Sequence, residues 1–584
     1  MENNILVQNI SSRSESLRQK LSALVYQRGI DSFFTEHIPF SYSCGYENAI
    51  RFISVIKLIA AKKEKNESII ITEIAAGSGL FCFRILDLIY ELKLPFAENV
   101  YFNITDFSEK NMTEIKNTTF YKKYHNQVSL LTFNIFEDNF TKLPKSDSFI
   151  MNYILDSLPH KHYQYKDKKI VEKKIKTYVD KNQLIIDTTT EFPEIIKNEK
   201  IKDYIESTIS EKNQKKLSKL KINFIETFHN IKVSEKDLES TDLKMLKKFC
   251  LFLNNKEFTF NYSTLTYPII KELYSRLTED GFIFIFDFGL NTIKQNINTE
   301  KLTTNYGLAQ CHSFNFPYLK FISKELNLSY FQTNHKKQEN QHAILSKAKL
   351  SEKKLKQIFK EKKAHLTDAK RISKYKSIGK KCSFHINQRY KKLIPQKRKD
   401  FTLLKTIISK LIEVKEFDEA LNYIKIAKKE YESYAIAFSC QEAELYRTKN
   451  EHLKTVSIIK PELKMHPTLA NMHYLYCVSL SFLDDKKTFI KQFKDYLDYC
   501  DNILPWRYFI ILACYYFELG HHQKGKEILT YIIKIQKDYP ELAIQHKLAM
   551  KKNDQENYIY DIDMFVDLIE DCHQILNQFE KITS

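Results

Sequence analysis

The sequence predicts an α/β domain built on a mostly parallel sheet, interrupted by a helical insertion and followed by an all-helical repeat domain. Three observations carry this expectation. Between residues 68 and 159, short apolar strands alternate with helices whose apolar residues keep helical spacing. A second helix–strand pair, PIIKELYSRLTEDGFIFIFDFG, returns at 268–289. From 401 onward every segment reads as helix. Strands with unbroken apolar runs need cover on both faces, and alternation with helices supplies it, which is how parallel sheets are built. The 584 residues leave room for several domains, and only 10 of them are glycine. That scarcity excludes collagen-like, glycine-rich and turn-dense all-β designs.

Taken in order, residues 1–65 form an N-terminal helical segment with a break at FTEHIPFSYSCGYENA. The core covers 66–160 and 268–346: SIIITEI is a buried strand, LFCFRILDLIYELK a helix, and NVYFNIT, VSLLTF and SFIMNYIL further strands. Residues 161–267 are rich in Lys and Glu and too long for an ordinary crossover. They read as a mainly helical inserted cap over the C-terminal edge of the sheet. Residues 347–400 are a basic helical linker. Residues 401–550 carry helical repeats: KEFDEALNYIKIAKK sets Ala420, Ile424 and Ala427 at tetratricopeptide spacing. ACYYFELGHHQKGKEILTYIIKIQKDYPELA gives a second unit, with Gly520 at its turn, Gly525 at its small position and Pro540 at its close. Each helix pair has an apolar face that only stacking can bury. Residues 551–584 form an acidic C-terminal helix.

Formal net charge is +19, and its distribution is uneven. Residues 346–400 hold 20 Lys and Arg against 4 acids, whereas Asp554–Asp571 holds seven acids and no Lys or Arg. The basic stretch reads first as a solvated helical linker and second as an arm for nucleic acid or an acidic partner, and its few aromatics argue against a base-stacking platform. Ten scattered cysteines without a CxxC read as reduced thiols in a cytoplasmic protein. No secretory signal is evident. The longest uncharged run, Met465 to Leu483, contains too many polar residues for a membrane span.

Among so few glycines, one pair stands two apart: Gly77 and Gly79 in ITEIAAGSGLF, between a strand and a helix. Glycine permits the sharp turn, and the following helix offers free N–H groups to a ligand. Glu73 ends the strand before that turn. Asp106 ends the next strand, where a carboxylate can accept hydrogen bonds from ribose hydroxyls. Asn134 follows the third, where an amide can meet an adenine amine. The set fits an adenosine-bearing cofactor. A dinucleotide site would want a small residue at position 82, where the chain has Cys82 between Phe81 and Phe83. S-adenosyl-L-methionine carries no phosphate and is the better match.

MNYILDSLP, residues 151–159, resembles the N-E-x-L-D-A-L-P signature of the MidA-like class I methyltransferases, a group that includes the mitochondrial complex I assembly arginine methyltransferase. Asn152, Leu155, Asp156, Leu158 and Pro159 match. The E-x-A-x-G-x-G loop, the Asp106-x-Ser108 pair, a long insertion and GFIFIFDFG (Gly281–Gly289) follow in the family's order. The likeness covers about residues 30–346 and implies a Rossmann-like fold, S-adenosyl-L-methionine and methyl transfer. It departs at Tyr153, where the signature has Glu, and at Phe288, where it has Tyr. Those departures leave the acceptor open.

The residues expected to hold cofactor are Glu73, Ala75, Gly77, Gly79, Asp106, Phe107, Asn134, Ile135 and Asn152. Asp156, Tyr153 and Asp287 are expected on the catalytic side, with His312 lining it. Asp156 would accept a proton or hydrogen bond from the nucleophile. His160 and His162 read as a polar loop, since no third metal ligand lies near in sequence. The whole reads as a methyltransferase (EC 2.1.1) acting on a protein side chain, Arg or Lys, with the helical repeats recruiting the partner. Two alternatives stand beside it: a non-catalytic scaffold with a vestigial fold, and a nucleic-acid methyltransferase using 346–400.

Overall fold

A computed structural model describes residues 4–35, 43–180, 185–189, 192–196, 199–220, 222–234, 237, 240–253, 257–290, 303–333, 340–360, 368–376, 378–500, 506–538 and 571–578. The chain divides into two compact units. One comprises 10–176 and 227–441; the other comprises 1–9, 177–226 and 442–584.

The first unit is built on the sheet that the apolar strands require. Its path runs Ser329–Gln332, Asn340–Ser346, Leu277–Leu290, Ser146–Asn152, Ile69–Ile74, Val100–Asp106 and Val128–Thr132. Neighbours from Leu277–Leu290 through Val128–Thr132 pair in parallel, and Asn340–Ser346 is antiparallel to both of its neighbours. Alternate residues feed opposite faces, as a pleated strand requires. Phe282, Phe284 and Phe286 join Ile71 and Ile150 in a core with the helices Tyr46–Ala60 and Leu80–Glu91. Ile283 and Ile285 join Ile74, Phe149 and Met151 in a second core beneath Phe249, Ile270 and Phe316. Strand order reverses direction between Ile69–Ile74 and Ser146–Asn152, which is where an open α/β sheet leaves a crevice.

The insertion corrects the expectation of a mainly helical cap over 161–267. Lys161–Lys166 and Lys169–Asp180 form an antiparallel hairpin, and Phe258–Tyr262 pairs with its first strand. Asp167 and Lys168 both have positive φ (49° and 59°), the two-residue turn that matches strand twist. Ile170, Ile175, Thr177 and Val179 are buried between half-exposed neighbours, an alternating pattern that the surrounding lysines hide. The N-terminal segment likewise contains a strand, Asn4–Ser11, before its helices.

C-terminal helices follow one another in twos across short turns: Phe401–Glu413 then Phe417–Glu430, Ile436–Thr448 then His452–Met465, Ala470–Phe482 then Lys486–Tyr499, and Trp506–Glu518 then His522–Asp538, with the first, third and fourth twos packed side by side. Ala420, Ile424 and Ala427 are buried as their spacing requires. A Cβ at Gly525 would lie 2.8 Å from the Phe517 ring, so the small residue serves close helix contact. Pro540 and most of the acidic C-terminal stretch lie outside the described residues. In the second unit, Lys219 is fully buried and its Nζ donates to the carbonyls of Leu497 (2.6 Å) and Cys500 (2.8 Å) at the end of Lys486–Tyr499. None of the ten cysteines is in a disulfide. Among the described residues, no helix is long and apolar enough to cross a membrane.

Candidate active site

Five parallel strands end at one side of the sheet in the first unit, and segments at or after their ends line a cavity of about 1010 Å³. After Ile69–Ile74 comes the turn, in which Ala75, Gly77 and Gly79 all have left-handed backbone (φ 48°, 57° and 69°). Such a conformation is costly for any residue with a Cβ, which is why glycines occupy two of the three positions. Asp106 fastens the turn to the next strand. Its Oδ2 accepts the Gly77 N–H at 2.9 Å, and its Oδ1 accepts the Ser108 N–H at 2.9 Å and the Asn111 amide at 3.1 Å. Burial raises the Asp106 pKa, and these hydrogen bonds pull against that rise.

Glu73 and Asn152 stand on adjacent strands against the same space. Glu73 Oε2 and both polar atoms of the Asn152 amide are buried and make no close hydrogen bond, although the two side chains lie near enough for Asn152 to steady the Glu73 charge. Burial, with a contribution from the Asp106 charge, pushes the Glu73 carboxyl up to about 8. Buried polar atoms left open in a cavity wall are atoms that a ligand completes. A nucleoside with an ammonium group and ribose hydroxyls supplies partners for both, so these residues fit the expected cofactor.

Farther along the cavity the wall becomes acidic and thiol-bearing. Asp156 is buried, accepts the Ser157 hydroxyl at 3.0 Å, and is pushed up to about 7 by burial. Burial first, and then the Asp156 charge, raise the pKa of the neighbouring Asp287. Asp287 accepts the N–H groups of Leu155 (2.8 Å) and Phe288 (2.7 Å), which ties the signature loop to the strand Leu277–Leu290. Tyr26 and Cys311 also border this end, both raised by burial and by the Asp156 charge. Tyr153 lines the wall with left-handed backbone (φ 53°), and its ring lies 5.4 Å from Phe286.

Residues 49–320 match a family model described as "Putative S-adenosyl-L-methionine-dependent methyltransferase". These residues form a methyltransferase domain. The cofactor of the methyltransferase domain is S-adenosyl-L-methionine. Similar solved structures include a Burkholderia thailandensis protein bound to S-adenosyl-homocysteine, with 11% identity over 55% of this chain and 79% of that one and a TM-score of 0.31. A second, native structure from Burkholderia thailandensis has 10% identity, covers 57% and 92%, and gives a TM-score of 0.31. The plantazolicin methyltransferase BpumL with S-adenosyl-homocysteine has 8% identity, covers 57% and 99%, and gives 0.26. No curated protein matches the chain.

Within the methyltransferase domain, Glu73, Ala75, Gly77, Asp106, Phe107, Asn134, Ile135, Asn152, Tyr153 and Asp156 all border the one cavity. Gly79 does not; it opens the helix Leu80–Glu91, where a Cβ would lie 3.2 Å from Ile115. Asp287 is correctly placed in sequence but sits behind Asp156, fully buried, so it positions the loop while Phe288 reaches the cavity. His312 is also behind the wall: its Nε2 meets Gln19 Oε1 at 3.2 Å and its N–H donates to the Asp156 carbonyl at 2.8 Å. His160 packs on His312 with ring centroids 5.0 Å apart. Burial lowers the pKa of His160 to about 4 and drives those of His162 and His312 down as well. Among the described residues, no group of His, Cys, Asp and Glu could hold a metal ion. Sequence reasoning missed Tyr26, Cys311, Lys370 and Thr402, which lie outside every recognisable motif and reach the cavity through tertiary packing.

Proposed function

We propose that the domain methylates a side-chain nitrogen of a protein, Arg or Lys, and that the C-terminal helix pairs recruit that protein. The observation that carries this reading is the buried Asp156 carboxyl on the cavity wall, with Asp287 behind it and the hydroxyls of Tyr26 and Ser157 beside it. A buried carboxyl that titrates near neutrality can pair with a cationic side chain and take a proton from it. S-adenosyl-L-methionine, when bound, supplies a sulfonium methyl to an in-line nucleophile.

The chain's own residues do the rest. Asp156, titrating near neutrality, accepts an N–H of the acceptor and makes its lone pair available. Tyr153, in place of an acid, puts an aromatic ring on the cavity wall. Catalysis then rests mainly on holding donor and acceptor about 3–3.5 Å apart, away from water. Label from the methyl donor, supplied to the purified protein with a host-cell lysate, should appear in the protein fraction as methyl-arginine or methyl-lysine after hydrolysis. Label confined to nucleic acid would replace this acceptor class with the other.

A further inference from the structure

The family match ends at residue 320, yet the cavity wall does not. Ala369, Lys370, Ser373, Thr402 and Thr406 border the same cavity as the residues of the glycine turn. They lie on the helices Asp368–Ser373 and Phe401–Glu413. Several contacts fasten this segment to the sheet domain. Arg84, on the helix that follows the turn, donates to the Gln396 carbonyl at 2.7 Å, and Asp400 accepts the Tyr46 N–H at 2.9 Å while capping its own helix at Leu403. Asp368 holds its short helix through ion pairs with Arg389 and Lys397. Tyr434 is buried, and its hydroxyl donates at 2.6 Å to the carbonyl of Ser78, the residue between the two turn glycines.

We infer that the segment 368–434 completes the cofactor site: Tyr434 braces the glycine turn, and Lys370, with the Thr402 and Thr406 hydroxyls, receives the cofactor's carboxylate. The inference rests on the cofactor assignment. The adenosine end is accounted for by Asp106, Phe107, Asn134 and Ile135, and the acceptor end by Asp156 and Cys311. Lys370, Thr402 and Thr406 add donors to the part of the lining that those residues leave. Among the described lining residues, the acids Glu73, Asp106, Glu137 and Asp156 offer a carboxylate no positive charge, whereas Lys20 and Lys370 are the two lysines. Lys370 is the one on the segment braced against the turn. A lysine here complements the ligand as a point charge.

Two ligands separate the roles, because 5′-methylthioadenosine lacks the amino-acid portion of S-adenosyl-homocysteine. By calorimetry on the full chain, Lys370→Met should weaken S-adenosyl-homocysteine about tenfold and leave 5′-methylthioadenosine within about twofold, the scale of one charge-assisted contact. Tyr434→Phe keeps the ring in place and should weaken both ligands about three- to tenfold. Unchanged affinity in both variants would overturn the inference and leave the segment as packing alone. Equal weakening of both ligands by Lys370→Met would remove it as the carboxylate partner. A wild-type chain that binds neither ligand would instead overturn the cofactor assignment beneath.

Discussion

A Cβ at Gly77 would meet the Phe33 ring at 2.9 Å on a backbone already left-handed (φ 57°), so Gly77→Val strains the turn that Asp106 holds. Gly77→Val and Asp106→Ala should each abolish cofactor binding by calorimetry while the circular dichroism spectrum of the chain is retained. Asp156→Asn should leave cofactor affinity in place and lower kcat by about 10²-fold or more, the usual worth of a positioned base. Because Asp156 serves only when deprotonated and is pushed up to about 7, the wild-type rate should climb as pH passes through 7. Glu73 gives a stability test of opposite direction. Its folded pKa of about 8 lies above the ordinary carboxylate value, so between pH 4.5 and 8 the folded chain keeps a proton that the unfolded chain has released. The folded state binding more protons, stability falls as pH rises across that window. Glu73→Gln should flatten this part of the melting-temperature profile of the cofactor-free protein.

Among elements, the helix pairs show how local signals repeat. Lys415, Asn450, Asp484 and Gly520 all carry positive φ at the turn within a pair, 34 to 36 residues apart. Glycine at one of them and polar residues at the others make the period faint by composition, and so the pair Ile436–Met465 escaped the sequence reading while Phe417–Glu430 did not. The insertion was misread for a related reason. A period-two pattern interleaved with lysines resembles a charged helix until the partner strand is known. Lys219 is an element-scale device: a buried ammonium that satisfies the last carbonyls of Lys486–Tyr499 and opposes that helix's negative end. Lys219→Ala strands those carbonyls in an apolar setting and should cost about 1–3 kcal/mol in denaturant unfolding of the second unit. Lys219→Arg is expected to recover part of that loss.

At the scale of the molecule, the second unit draws 177–226 from the middle of the chain and 442–584 from its end. Ile201, Ile205, Leu217 and Leu220 are buried there together with residues of the C-terminal helices. A chain cut at 441 therefore leaves the middle segment without its core. It should bind hydrophobic dyes and associate in sedimentation even though residues 49–320 remain whole. The C-terminal helices are thus part of folding the insertion, whatever partner they also engage.

The sequence by itself determined the sheet, its cofactor turn and the loop bearing Asp156, because those features depend on local requirements. Apolar runs must be buried, a left-handed turn selects glycine, and a strand end puts its acid at the crevice. Tertiary structure alone decided which distant residues share the cavity. Tyr26, Cys311, Lys370 and Thr402 carry no periodicity or spacing relative to Gly77, and contacts closed across long stretches of chain leave no mark in local pattern. The same limit separated Asp287 from the cavity: one residue along a strand exchanges a buried side chain for one that faces the ligand, and only the packed sheet fixes which is which.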